Sequence, residues 1–155
     1  TPGCPTDGAT AGSTCPELSV TRDEMAQFMW RSKGQPTPTT TATFEDVAAD
    51  ATYTTAVDWL AEQQITLGCT TTTYCPDGTV TRAEMAAFLW RLEGSPEGST
   101  PAGFGDVPEG VFYGAAADWL LASGTTTGCT TTSYCPDGLV TRAEMFTFLK
   151  RLGEA

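Results

Sequence analysis

Apolar residues fall in two copied arrangements along this chain. Met85, Phe88, Leu89 and Leu92 stand at i, i+3, i+4 and i+7, the spacing that lines one face of a helix. The same stripe opens at Met25 and again at Met145. A shorter face, Val57, Leu60 and Ala61, lies within Tyr53–Gln63, and Ala117, Leu120 and Leu121 repeat it within Tyr113–Ser123. The pattern therefore predicts five helices and no strand alternation. Two helices belong to each of two full units and one to an incomplete first unit.

Local chemistry sharpens the starts of the long helices. Thr81 is a good N-cap, and Glu84 three residues on completes a capping box, with Val80 and Met85 placed as a hydrophobic staple. Thr21 with Glu24 and Thr141 with Glu144 repeat the device. Gly-Cys, a threonine-rich loop and Tyr-Cys-Pro-Asp-Gly precede the second and third copies, which is turn chemistry. Val-Thr-Arg-Ala-Glu-Met at 80–85 and 140–145, and its variant Val-Thr-Arg-Asp-Glu-Met at 20–25, put Arg22, Arg82 and Arg142 60 residues apart. A fixed period means that one unit was copied, so a ligand site built on the motif is expected three times. The expected layout is a partial first repeat at 1–33, a linker at 34–43, a second repeat at 44–92, a linker at 93–103 and a third repeat at 104–152, together one domain. Both linkers are rich in Pro, Gly, Ser and Thr.

Charge narrows the partners. The net charge of −11 opposes nucleic acid and anionic lipid heads, and no apolar run reaches the 18 residues that suggest a membrane span. All eight cations lie in the copied motif or at the end of the helix it opens. Arg22, Arg82 and Arg142 sit at the first helical position, the wrong sign of charge for that end of a helix dipole. Two readings compete. An exposed N-terminus with free N–H groups and a guanidinium fork would receive a carboxylate or phosphate. Alternatively, each arginine pairs with an internal carboxylate such as Asp46, Asp77, Asp106 or Asp137. Trp30 and Trp90, near helix ends, either pack or stack on sugar.

The six cysteines allow 15 pairings, of which the repeat favours Cys4–Cys15, Cys69–Cys75 and Cys129–Cys135. Zinc ligation is the poorer alternative, since the chain has no histidine. Disulfides imply a compartment outside the cytosol, and the chain, lacking a leader-like segment, reads as a mature or excised piece. Catalysis finds little support. The commonest general base is absent, and no phosphate loop, nucleophile elbow or metal signature occurs.

Phe-x-Asp-Val, an amphipathic helix, a glycine turn and Pro-Asp-Gly-x-Val-Thr-Arg-Ala-Glu-Met together resemble the S-layer homology repeat, in a secreted actinobacterial type with a disulfide in each copy. The resemblance implies an all-α fold, a pseudo-threefold bundle of helical hairpin repeats. It also implies binding of an acidic, commonly pyruvylated, secondary cell-wall polysaccharide in grooves between repeats. Arg82, Arg142 and, in the variant motif, Arg22 match the arginine that contacts the acidic group in that family. Asp46 and Asp106 match the aspartate of its opening motif. The family's tryptophan after that motif falls near Thr52 and at Phe112 here. The expected function is a non-catalytic anchoring module at the cell surface, with wall polysaccharide as partner and no cofactor or metal. The competing reading is a protein–protein or self-assembly module of a surface layer or filament.

Overall fold

The computed structural model describes residues 15–153. Five helices follow in order: α1 (Arg22–Ser32), α2 (Thr54–Glu62), α3 (Arg82–Leu92), α4 (Gly114–Ala122) and α5 (Arg142–Gly153). Among the described residues there is no strand, only three isolated bridges, so the fold is all-α as the apolar periodicity predicts. Helix starts rest on the threonine–glutamate pairs. The Thr81 N–H donates to Glu84 Oε2 (2.9 Å) and the Glu84 N–H returns to Thr81 Oγ1 (3.2 Å). Thr141 and Glu144 make the same two bonds (2.8 and 3.2 Å), and the Thr21 N–H reaches Glu24 Oε2 (3.2 Å). The long helices α1 and α3 stop at Gly34 and Gly94, whose positive φ values of 82° and 83° suit a left-handed cap.

The bridges draw the three copies together at one point. The Val20 N–H donates to Val140 O (2.8 Å), Val80 to Val20 O (3.0 Å) and Val140 to Val80 O (3.0 Å), a closed ring of backbone bonds. All three valines are fully buried, as are Met25, Met85 and Met145 just inside the helices that follow. Each such side chain contributes about 1.5–3 kcal/mol by leaving water.

Packing runs across the linkers. Helix α2 lies against α1, and α4 against α3, while α5 meets α1. The linkers are strapped down. Trp30 and Trp90, both half-buried, donate Nε1–H to Pro36 O and Pro96 O (2.8 Å each). Asp58 and Asp118 accept the N–H groups of Ala42 (2.9 Å) and Ala102 (2.8 Å). These tryptophans therefore hold the linkers against the helices, the packing role that the sequence offers for them.

Candidate functional site: two clefts beside buried arginines

Each copied arginine is laid against the next copy around the ring. The Arg22 N–H donates to Gly78 O (2.8 Å), Arg82 to Gly138 O (2.8 Å) and Arg142 to Leu18 O (2.9 Å). The next N–H in each helix is also taken, Asp23 by Pro76 O (3.0 Å), Ala83 by Pro136 O (2.9 Å) and Ala143 by Pro16 O (3.1 Å). The helix N-termini thus have their donors satisfied inside the molecule. The expectation of open N-terminal N–H groups is corrected: those donors hold the copies together.

The side chains turn inward from there. Arg22 Nε–H donates to Tyr74 O (2.7 Å), and the Tyr74 hydroxyl donates back to Arg22 O (2.7 Å). Arg82 and Tyr134 make the same exchange at 2.8 and 2.9 Å. Both guanidinium groups lie over their tyrosine rings, at 5.0 and 4.9 Å from the centroids, and over Phe88 and Phe148 beyond. Burial pushes both phenols well above their ordinary pKa, so they stay neutral donors. Gly78 eases this crossing, because a Cβ there would stand 3.2 Å from Cys75 O, a tight contact, and 3.4 Å from Arg22 Cδ.

The ion pairs are internal, but they do not use the aspartates that the sequence offers. Arg22 Nη1 meets Glu84 Oε1 at 3.3 Å and Arg82 Nη1 meets Glu144 Oε1 at 3.6 Å, while Arg142 forks onto Glu24. Every partner is the capping glutamate of the following copy. A signal for this lies in the motif itself. Arginine and glutamate two residues apart on a helix point in different directions, so each needs a partner from another copy.

Two clefts of about 270 Å³ open beside these pairs. The first is lined by Arg22, Glu84 and Arg91, with Leu67, Gly68 and Phe112 on its margins. The second is lined by Arg82, Glu144 and Arg151, with Thr126, Thr127 and Thr147. Each places two cations against one carboxylate in a chain of net charge −11, so each is a local positive site. Arg91 donates Nη1–H to Ile65 O (3.2 Å), and Arg151 to Thr125 O (2.9 Å). Desolvation lowers the pKa of Arg91, a side chain that remains charged at any physiological pH. Arg22 is the most enclosed cation. Its side chain is 5% exposed, and Nη2 has no hydrogen-bond partner among the described residues.

Asp46 and Asp106, candidates for ligand contact, line neither cleft. The Tyr74 and Cys75 N–H groups donate to the two Asp46 oxygens (2.7 Å each), and Tyr134 and Cys135 do the same to Asp106 (2.8 and 2.7 Å). Desolvation opposes ionisation, yet these backbone bonds and the nearby arginine outweigh it and hold both carboxyls below the usual aspartate pKa. The two aspartates fix the loops that carry the tyrosine carbonyls. Those loops are closed by Cys69–Cys75 and Cys129–Cys135. The expected Cys4–Cys15 bond involves Cys4, which lies outside the described residues. No group of three or more His, Cys, Asp or Glu able to hold a metal ion occurs among the described residues.

Comparison with known proteins agrees with this architecture. The model of the S-layer homology domain matches residues 43–86. Endo-1,4-beta-xylanase A of Thermoanaerobacterium saccharolyticum is 34% identical over 103 residues, which is 66% of this chain and 9% of that enzyme. The chain thus corresponds to a small fraction of the relative. Domains of this family anchor the proteins that bear them to the cell wall. Residues 43–86 thus match the S-layer homology domain, within an all-α fold that carries two disulfides among the described residues.

Proposed function

We propose that this chain is a non-catalytic, extracellular anchoring module that binds an acidic wall polysaccharide, with guanidinium groups of the copied motif receiving its carboxylates. The observation that carries this reading is a pair of arginines, Arg22 and Arg91, set against the single carboxylate of Glu84 in one cleft of an acidic chain. Arg22 Nη2 is buried and has no partner among the described residues, so a side-chain movement that brought it to an incoming carboxylate would satisfy both the charge and the hydrogen bond. Arg91 across the same cleft adds attraction at longer range. The guanidinium groups hold their own fold as well, so binding adds an acceptor to cations whose positions the fold already fixes. The repeats at 44–92 and 104–152 each supply a loop and a helix to such a cleft in this reading.

The test is retention on purified cell walls before and after removal of pyruvyl groups, at low and high salt. Retention falls in both treatments if an ion pair to a carboxylate carries binding. Equal retention on walls stripped of acidic groups refutes the reading.

A further inference from the structure

The three copied arginines do not stand in equivalent surroundings, and the differences lie beyond the ring that makes them alike. Leu67 and Phe112 are 67% and 62% exposed, among the most exposed large apolar side chains of the molecule, and both line the Arg22 cleft. They come from different copies, Leu67 from the turn after α2 and Phe112 from the segment before α4. Phe112 is braced edge-on by Tyr113, with centroids 5.2 Å apart. At the Arg82 cleft the residue corresponding to Leu67 is Thr127, and no residue corresponding to Phe112 lines it.

The third position differs again. Helices α1 and α3 are covered by α2 and α4, and there Ala26 and Ala86 are fully buried. The corresponding residue of α5 is Phe146, 49% exposed, whose ring meets Phe28 of α1 at 4.9 Å. Phe28 corresponds to Phe88, the ring that lines the Arg22 cleft. An aromatic pair thus joins α5 to α1, and Glu24 takes the Arg142 fork.

From these contrasts we infer that the Arg22 cleft is the stronger saccharide site of the two described, and that Leu67 and Phe112 select a carboxylate-bearing sugar by clasping a C–H-rich face beside its acidic group. This deepens the acidic-glycan reading and rests on it. Arg22 supplies the charge partner, which the Arg82 cleft also offers. The apolar lip supplies the difference, because two exposed apolar side chains that leave water against a sugar ring strengthen binding, and a threonine contributes far less.

Calorimetric titration decides the matter, with a short oligosaccharide fraction cleaved from acidic bacterial wall polysaccharide and the same fraction with its carboxyl groups reduced. The wild-type chain takes up a first equivalent of the acidic fraction far more tightly than any further one, and none of the reduced fraction. Leu67→Thr and Phe112→Ala each weaken binding by about tenfold, while Thr127→Ala and Thr147→Ala at the other cleft stay within about twofold. All four side chains are exposed, and matched thermal midpoints confirm that the variants are folded. Two equal sites, or lip variants that bind like wild type, overturn the inference and leave the acidic-glycan reading standing. No uptake by the wild type, or equal uptake of the reduced fraction, removes both.

Discussion

Arg22 and Arg142 are each the third residue of the six-residue motif, donate the same kind of backbone bond to the neighbouring copy and pair with the same type of glutamate. Their surroundings diverge. Arg22 is sandwiched between the rings of Tyr74 and Phe88, with a cleft, a second arginine and an unused donor beside it. Arg142 is more exposed, commits two N–H groups to Glu24 and has the Phe28–Phe146 pair alongside. A copied motif therefore fixes a structural joint, while the residues that differ between copies decide whether the joint also becomes a binding site.

The largest expected effect breaks this contrast at the joint. Arg82→Ala removes a buried cation and leaves Tyr134 O and the cap glutamate without it, and should cost about 3–5 kcal/mol. Arg142→Ala, where no tyrosine exchange or ring stacking occurs among the described residues, should cost about 1–3 kcal/mol. Urea unfolding monitored by tryptophan fluorescence measures both. Equal losses would mean that the tyrosine exchange and ring stacking add nothing beyond the ion pair.

Gly68→Ala and Gly128→Ala come next. Both glycines have positive φ (84° and 81°), and a Cβ on either would overlap the carbonyl oxygens of its own loop. Each substitution should cost about 2–4 kcal/mol from strain and displacement. Only Gly68→Ala should also weaken binding of the acidic wall fraction, because only Gly68 lies on the cleft with the apolar lip. Differential scanning calorimetry and wall retention separate the two effects. Loss of retention in both variants would erase the distinction between the clefts.

Removal of one disulfide is a smaller change. Cys69→Ser with Cys75→Ser opens a loop with a sequence separation of 6, worth about 2 kcal/mol of chain entropy. The matching pair of substitutions at Cys129 and Cys135 should cost the same, and chemical unfolding of the two double variants checks that symmetry.

The smallest effect concerns acid. Asp46 has a lowered folded pKa, so its stabilisation is fully present above the ordinary aspartate value of 3.8 and fades as the pH falls through the lowered one. Asp46→Asn should flatten the acid limb of the stability curve in that window, with no change in wall retention at neutral pH. A fall in retention near pH 7 would return Asp46 to the ligand site.

Much of the fold is legible in the sequence because it is carried by local rules. The i, i+3, i+4 stripes gave helices whose ends fall within a residue or so of those observed, and threonine followed by glutamate marked the long helix starts. The ring is harder to foresee, since backbone bonds among Val20, Val80 and Val140 leave no side-chain signature beyond burial. The site was only partly readable. Arginine at a helix start pointed to an anion, yet its first claim is internal, because Tyr74 O and Glu84 lie within reach only after the copies close around the valines. Leu67 gave no warning as a site residue, since one leucine in a turn has neither period nor partner in sequence. Phe146 is the counterpart of two alanines, and that substitution is visible in the sequence, but its meaning depends on which helix has no neighbour.

One measurement tests the central claim most directly: a crystal structure of the chain with a carboxylate-bearing wall oligosaccharide. The account predicts a saccharide in the Arg22 cleft, with its carboxylate paired to the Arg22 guanidinium and its ring between Leu67 and Phe112. A carboxylate seated at Arg82 or Arg142 with the Arg22 cleft empty would contradict it.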